Sequence, residues 1–299
     1  MYFSNQTDRR NFIRNLSLLS GMCLLTEWEA LAAKKPRKIR MKLGMVTYQW
    51  GKDWDIPTLI KNLSTAGIYG VELRVDHAHG VSPSLSKAQR KEIRKRFKDS
   101  PVEIVGMGTN QQYDYPDRSK LLDSIEKTKE FILLSKEIGG SGVKVKPNQF
   151  HAGVPKSKTV EQIGISLNQL ARFAADYGQQ LRLEVHGPET QEIENIKAIM
   201  DVADHPNATV CWNSNPEDLK GAGIEANFNL LKDRFGDICH VRELDDQAYP
   251  YQTLMNLFVE MNYRGWILLE CRTDPADKVK ALIEQRKMWE EMVEIARNR

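Results

Sequence analysis

Acidic, basic and amide side chains follow short apolar segments at eight places in this sequence. The segments end on Thr47-Tyr48-Gln49, Glu72-Leu73-Arg74, Thr109-Asn110, Lys144-Val145-Lys146, Glu184-Val185-His186, Asn213-Ser214-Asn215, His240-Val241-Arg242 and Glu270-Cys271-Arg272. Carboxylates, imidazoles and cationic side chains are the groups that transfer protons and stabilise anions in enzymes. The repeated pattern predicts that these residues contribute to one site.

Helical periodicity separates each apolar segment from the next, so the chain reads as eight strand-then-helix units. Such alternation is typical of a parallel sheet, and eight units can close it into a (β/α)8 TIM barrel. We expect this barrel as a single domain over residues 41–299 of the 299-residue chain. In barrels of this class the chemistry lies at the C-terminal ends of the strands, where the charged residues occur.

The alternation of side chains along a strand predicts which residues point into the barrel. In the fifth strand the alternate apolar residues should face the helices, which aims Arg182, Glu184 and His186 inward. By the same alternation, the inward set also includes Glu72, Arg74, Lys144, Lys146, Asn213, His240, Arg242, Glu270 and Arg272. Buried charge is costly unless it is paired or used. The pattern therefore favours a polar active site over salt bridges that only fill the barrel.

The composition argues against several classes of protein. The chain is 41% hydrophobic and 28% charged, which is ordinary for a globular domain with a buried core. Its net charge of +3 is small and dispersed, so nucleic acid is not an expected partner. Cys211, Cys239 and Cys271 fall in three different predicted strands. We expect them to be small buried side chains and not a disulfide framework.

The first 33 residues resemble a twin-arginine export signal. Arg9 and Arg10 stand shortly before Arg14, the mostly apolar stretch 16–25 follows, and small residues at 30–33 suit cleavage. The apolar stretch is too short to span a membrane, which takes about 20 residues. We therefore predict a removable signal peptide over residues 1–33, a periplasmic product and no stable membrane insertion. An attached amphipathic N-terminal helix is the alternative.

Glu184, the end of strand six at Asn213, the segment from His240 to Asp245, and Glu270 together resemble the xylose isomerase-like TIM barrels. This family includes sugar phosphate isomerases, sugar 3-epimerases and a branch of endonucleases, and the resemblance covers nearly all of the chain after residue 41. For epimerase-type members it implies a divalent metal held by Glu, Asp, His and Glu on strands five to eight. Glu184 and Glu270 match two of these positions.

The other two positions depart from the family pattern. Asn213 stands where the family has Asp, and counting back from Asp245 puts Arg242 at the place of the His, with His240 two residues earlier. A guanidinium does not bind metal, and an amide oxygen binds it more weakly than a carboxylate. If the strand register brings His240 into the site, a modified centre for Mn, Zn, Mg or Co consists of Glu184, Glu270, Asn213 and His240. If the register does not allow this, the site holds no metal. The excess of cations at the mouth slightly favours a site without metal, because a divalent cation would add repulsion. Arg242 would then take the place of the metal and bond to Glu184 or Glu270.

The resemblance implies an isomerase or epimerase that removes and returns a proton beside the carbonyl of a free sugar or keto-sugar, through an enediolate. The implied catalytic residues are Glu184, Glu270, Lys146 and His186. The implied substrate-binding residues are Glu72, Arg74, Lys144, Asn213, Asn215, Arg242 and Arg272. Two alternatives stay open: a 3-keto-glycoside lyase or hydratase, and a non-catalytic sugar-binding barrel that lost its metal. The endonuclease branch fits least, because six histidines are few for three zinc ions. The oligomeric state is left open.

Overall fold

The computed structural model describes residues 37–299, in which Lys38–Arg297 form one compact unit. The predicted signal segment, residues 1–33, lies outside this part. The strands are β1 (Lys42–Val46), β2 (Gly70–Arg74), β3 (Glu103–Gln112), β4 (Gly142–Lys146), β5 (Gln180–Glu184), β6 (Ala208–Cys211), β7 (Ile238–Val241) and β8 (Trp266–Leu269). The α-helices are α1 (Ile56–Ala66), α2 (Lys87–Lys98), α3 (Arg118–Ile138), α4 (Lys156–Ala175), α5 (Ile193–Val202), α6 (Ile224–Leu231), α7 (Tyr251–Glu260) and α8 (Lys278–Arg297). Over residues 37–299, no helix is both long and apolar enough to cross a membrane.

The strands form one parallel sheet in the order β6-β5-β4-β3-β2-β1-β8-β7. The remaining gap, between β6 and β7, is bridged at two points, Val210 to Phe235 and Asn213 to His240. Parallel strands joined by helices close in this way into a barrel with the helices outside. The predicted single-domain (β/α)8 barrel is confirmed.

Local sequence signals determine where several helices begin and end. The side chain of Asp55 accepts a hydrogen bond from the Thr58 amide at the start of α1, and Gly67 ends this helix with a left-handed φ of 71°. Ser86 and Gln89 form a reciprocal capping box at the start of α2. These caps fix where α1 begins and ends and where α2 begins.

The barrel interior near the N-terminal ends of the strands is filled in two ways. Apolar side chains including Val46, Val105 and Leu268 form one cluster. Arg182 is fully buried beside it, and its guanidinium donates to the Val105 carbonyl oxygen at 3.2 Å and to Ser141 Oγ at 2.6 Å. The inward orientation predicted for Arg182 is confirmed, but its position at the N-terminal end gives it a structural role.

The observed elements differ from the sequence expectations mainly at their ends. The apolar run over residues 102–107 predicts a third strand of that length and a loop after it, but β3 continues to Gln112 and pairs there with Lys146 of β4. The sequence pattern predicts a sixth strand that reaches Asn213 and a seventh that reaches Leu244, but β6 and β7 end at Cys211 and Val241. Cys211, Cys239 and Cys271 are free and buried, as expected.

Candidate active site at the C-terminal mouth of the barrel

Six polar side chains meet in the barrel interior near the C-terminal ends of the strands. This inner layer consists of Glu72, Lys144, Glu184, Asn213, His240 and Glu270. Each belongs to, or directly follows, a different strand, and none is more than 8% exposed. All six were predicted to point inward. A purely structural barrel would carry branched apolar residues at this depth, so the inner layer is the best candidate for a functional site.

His240 lies at the centre of the inner layer. Its Nδ1 is 3.7 Å from Oε1 of Glu184 and 3.7 Å from Oε2 of Glu270. Its Nε2 is 3.4 Å from Oε1 of Glu72. Burial disfavours the charged imidazolium, but Cys211 and the carboxylates of Glu72 and Glu270 raise the pKa of His240 well above its ordinary value. The ring therefore has carboxylates on both of its polar edges.

Lys144 and Glu184 form a buried ion pair. Nζ of Lys144 donates to Oε2 of Glu184 at 2.7 Å, and Nδ2 of Asn213 donates to Oε1 of the same carboxylate at 3.2 Å. Burial would raise the pKa of Glu184, but Lys144, followed by His240, holds it well below its ordinary value. Burial would likewise lower the pKa of Lys144, but Glu184 keeps it above its ordinary value. Both groups are therefore charged at neutral pH.

Glu270 is the second carboxylate of this cluster. Burial and the neighbouring Glu184 carboxylate both raise the pKa of Glu270, while His240 and Lys144 lower it. The net effect is a pKa below the ordinary value of a glutamate. Two ionised carboxylates thus approach one imidazole nitrogen from different strands, which is the arrangement needed for proton transfer or for binding a cation.

The donor set of the inner layer fits a divalent metal ion. Glu184, His240 and Glu270 offer ligand atoms that all lie within 4.8 Å of one another. In the part of the chain that is described, both nitrogens of His240 and Oδ1 of Asn213 are buried without a hydrogen-bond partner. Such atoms are costly unless a ligand satisfies them. Lys144 binds Oε2 of Glu184, so the other oxygen of this carboxylate, Oε1, faces His240. Glu72 lies at the opposite ring nitrogen, where metal sites commonly have a carboxylate that orients the histidine.

A second ring of side chains stands two residues further along each strand. This outer layer consists of Tyr48, Arg74, Asn110, Lys146, His186, Asn215 and Arg242. Oδ1 of Asn110 accepts hydrogen bonds from Arg74 and Lys146, each at 3.3 Å. Burial, together with the charges of Lys144 and Arg74, lowers the pKa of Lys146. Burial also lowers the pKa of His186, so this imidazole is neutral.

Arg242 lies in the outer layer, away from the place where the family spacing put a metal ligand. Its Nη2 donates to Oδ1 of Asn215 at 3.1 Å, and residues 37–299 contain no ion pair between Arg242 and Glu184 or Glu270. The expectation that Arg242 takes the place of the metal by bonding to a glutamate is therefore wrong. His240 takes that central position.

Two further expectations need correction. Arg272 was expected to line the barrel, but its side chain is exposed and its backbone amide donates to Oε1 of Glu243 at 2.9 Å. Trp212 directly precedes Asn213, a position that predicts an aromatic face for stacking a sugar, but it is fully buried and packs edge-on against Phe228 and Phe235 as part of the core.

One network beneath the outer layer was missed by sequence reasoning. Oδ2 of Asp218 accepts hydrogen bonds from the Asn215 amide at 2.9 Å and from the Tyr249 hydroxyl at 2.7 Å. Burial raises the pKa of Asp218 to about 7. The spacing of Asn215 and Asp218 is that of a capping box, which was the available signal. The network orients Asn215, which in turn holds Arg242.

The fold and the site together define a TIM barrel with a buried carboxylate and histidine centre at its C-terminal mouth. A family model described as a xylose isomerase-like TIM barrel matches residues 60–215, which is more than half of the chain. The chain belongs to the xylose isomerase-like TIM barrel family. No curated protein sequence matches it significantly.

Many solved structures share the fold at low sequence identity. The 3-keto-D-glucoside 4-epimerase YcjR from E. coli is 13% identical, with a TM-score of 0.71 over 84% of this chain and 99% of that one. An L-ribulose 3-epimerase is 14% identical, with a TM-score of 0.74 over 86% and 96%. An IolI protein with a bound zinc atom is 16% identical, with a TM-score of 0.67 over 85% and 98%.

Proposed function

We propose that this protein is a carbohydrate isomerase or epimerase that removes and returns a proton next to a sugar carbonyl. The observation that carries the proposal is the approach of two buried carboxylates, those of Glu184 and Glu270, to a single nitrogen of His240 at 3.7 Å each. Membership of the xylose isomerase-like family and the likeness to sugar epimerase structures support it.

In the proposed reaction, one carboxylate accepts the proton from the carbon beside the carbonyl. The electron pair of the broken C–H bond forms a carbon–carbon double bond, and the carbonyl oxygen becomes an enediolate oxygen. The second carboxyl group, once solvent has protonated it, gives this proton to the opposite face of the same carbon while the enediolate reverts to the carbonyl, which yields an epimer. Protonation of the former carbonyl carbon instead, with transfer of the proton from the neighbouring hydroxyl group to the enediolate oxygen, yields an isomer. Glu184 is suited to accept the first proton, because Lys144 keeps it ionised, and it releases that proton to solvent afterwards. Glu270 is suited to the second role after it takes a proton from solvent, since it is ionised in the resting site.

A divalent metal would be held by Glu184, His240 and Glu270, with the Asn213 amide as a weaker fourth ligand. Such an ion supplies a Lewis acid that polarises the carbonyl and stabilises the enediolate oxygen. Lys146 and His186, at the entrance to the inner layer, provide a cation and a neutral imidazole for the hydroxyl groups of the sugar. Glu72 orients His240, so that Nδ1 faces the two glutamates.

Solvent-proton exchange tests the proposal before the natural substrate is known. Each member of a panel of ketoses, aldoses and 3-keto-glycosides is incubated with the protein in D2O, and deuterium beside the carbonyl is measured by NMR. We expect exchange and an epimer or isomer for at least one sugar. We expect Glu270→Gln to slow the reaction by about 10²- to 10⁴-fold, while Glu161→Gln, on the exposed face of α4, leaves it unchanged.

Other results of the exchange experiment would indicate a different function. Exchange followed by loss or addition of a group at the next carbon would make the protein a 3-keto-glycoside lyase or hydratase. Sugar binding without any exchange would make it a non-catalytic binding barrel. Metal content, measured on protein purified without affinity metal and then supplied with Mn²⁺, Zn²⁺, Mg²⁺ or Co²⁺, tests the cofactor separately. We expect near-stoichiometric metal that is lost in Glu270→Gln.

We also propose export through the twin-arginine route, on the strength of the N-terminal sequence. Residues 1–33 fused to a reporter that folds in the cytoplasm should carry it to the periplasm. Replacement of Arg9 and Arg10 by Lys should retain the reporter in the cytoplasm. Export that persists after this replacement would contradict the proposal.

A further inference from the structure

Helix α2, on the outside of the barrel, concentrates positive charge. Its twelve residues, Lys87–Lys98, include seven lysine or arginine side chains and a single acidic one, Glu92. The net charge of this helix is therefore +6, whereas the whole chain has a net charge of +3, so the remaining residues sum to −3. The charge is thus gathered on one element and is not dispersed, as the composition alone suggests.

Three of the seven cations pair with nearby carboxylates. The pairs are Arg90 with Glu137 at 2.8 Å, Lys95 with Asp99 at 2.6 Å and Arg96 with Glu92 at 2.9 Å. The other four cations are exposed, and among residues 37–299 none of them lies within ion-pair distance of an acidic side chain. These four residues, here called the basic row, are Lys87, Lys91, Arg94 and Lys98.

The basic row follows a single line along α2. Its members are spaced by four, three and four residues, which places them on the same face of the helix. At the rise of an α-helix the row is about 16 Å long. It borders a shallow groove of about 530 Å³, to which Lys91, Arg94 and Lys98 contribute. The row therefore has the shape of a binding surface for a narrow, extended partner.

The basic row does not stabilise the helix that carries it. Like charges four residues apart repel each other, as in the pairs Lys87 with Lys91 and Arg94 with Lys98. The N-terminal end of a helix favours negative charge, but the first turn of α2 begins with Lys87 and has no acidic residue. These cations are therefore unfavourable for α2 by itself, and a partner of opposite charge would offset this cost.

We propose that the basic row binds a linear acidic polysaccharide on the outside of the barrel. Successive carboxylates of the polysaccharide form ionic contacts with successive cations of the row. Such contacts between exposed charges weaken as the salt concentration rises. This surface lies apart from the inner layer, so the inference goes beyond the proposed function and does not require turnover.

The surroundings of the basic row distinguish this partner from other polyanions. Glu92 and Asp99 also line the groove, so a wide anionic surface such as a membrane would meet carboxylates as well as cations. Helices that bind membranes expose apolar side chains, but the large apolar residues of α2, Ile93 and Phe97, are buried. Single-stranded nucleic acids stack on exposed aromatic rings, and α2 exposes none.

Binding of polygalacturonate, which has one carboxylate per sugar unit, tests the proposal. Its affinity for the full protein is measured by biolayer interferometry at low and at physiological salt. Neutral dextran, vesicles that contain phosphatidylglycerol, and single-stranded oligothymidylate are measured in the same way. We expect polygalacturonate to bind more tightly than the vesicles or the oligonucleotide, with an affinity that falls as salt rises, and dextran not to bind.

The double variant Lys91→Gln/Arg94→Gln removes two cations of the basic row, and Gln retains a high helix propensity. We expect it to bind polygalacturonate about five- to thirtyfold more weakly, because two exposed ionic contacts are lost. Lys61→Gln/Arg172→Gln makes the same charge change at exposed positions of α1 and α4. This matched control should bind like the unmodified protein, and thermal melting checks that both variants fold.

Several results would overturn the proposal. They are absence of binding to polygalacturonate at low salt, equal binding of dextran, and equal losses in the two double variants. Tighter binding of the vesicles or of the oligonucleotide, with the same dependence on Lys91 and Arg94, would make the partner a membrane or a nucleic acid instead. Proton exchange on small sugars is a separate measurement, so its absence would refute the proposed function and leave the polysaccharide site intact.

Discussion

Replacement of Lys144 by Met should destabilise the barrel markedly. Lys144 and its partner Glu184 are 1% and 2% exposed, and their charged atoms are 2.7 Å apart. Met fills a similar volume and keeps the aliphatic stem, so the main change is the loss of one charge. The Glu184 carboxylate would then be buried beside Glu270 without its closest cation.

The expected size of the effect follows from this burial. Removal of one partner from a buried ion pair typically costs about 3–5 kcal/mol, because the other charge is left uncompensated. For a domain of this size, the corresponding fall in melting temperature is roughly 6–20 °C. The same loss should raise the pKa of Glu184, since Lys144 is the main group that lowers it.

Urea denaturation followed by circular dichroism, in the presence of EDTA, measures the free energy of unfolding without a contribution from bound metal. Lys127→Met is the matched control, because Lys127 pairs with Asp123 on α3 with both side chains largely exposed. This control should leave stability unchanged. The double variant Lys144→Met/Glu184→Gln removes the stranded charge and should recover part of the loss.

Two results would refute this reasoning. If Lys144→Met lowered stability no more than Lys127→Met, the ion pair would be hydrated and the inner layer would be open to solvent. If the double variant were as unstable as the sum of the two single variants, the pair would not be coupled energetically. Either result would also weaken the argument that Glu184 is ionised by its neighbour.

Three further predictions concern the metal, pH and the backbone. Glu72→Gln should weaken metal binding by about 10- to 100-fold through loss of the carboxylate that faces Nε2 of His240 at 3.4 Å, as measured by competition with a chelator; unchanged affinity would contradict the orienting role. The Asp218 carboxyl, with its pKa raised to about 7, is stabilising when protonated, so its contribution is complete below about pH 4 and is lost as the pH rises to about 7. Asp218→Asn should therefore gain stability relative to the unmodified protein across that range in urea denaturation, and a constant difference would refute the shift. Gly187→Ala should cost about 2–5 kcal/mol, since φ is 94° and a Cβ would collide with the Asn148 carbonyl oxygen; a loss below about 1 kcal/mol would show that the loop adapts.

Much of the site could be predicted from sequence because the period of a strand is two. The apolar partners of Glu184 on β5 had to face the helices, so Glu184 had to face inward, and the same argument held for Glu72, Lys144 and His240. The continuation of β3 to Gln112 could not be predicted, because polar residues such as Asn110 carry no strong strand preference. Its pairing with β4 is a tertiary interaction.

The sequence by itself determined the eight-unit barrel and, apart from Arg272, the inward set of polar residues, with Glu184 and Glu270 among them. Only the tertiary structure decided whether His240 or Arg242 reaches those glutamates. Both residues point inward from β7, two positions apart, so their separation along the strand is roughly 7 Å and alternation cannot choose between them. The bridge from Asn213 to His240 sets the stagger of β7 against β6, and this stagger places the imidazole, not the guanidinium, at the depth of the carboxylates. Stagger arises from strand pairing between distant segments of the chain, and no local pattern encodes it.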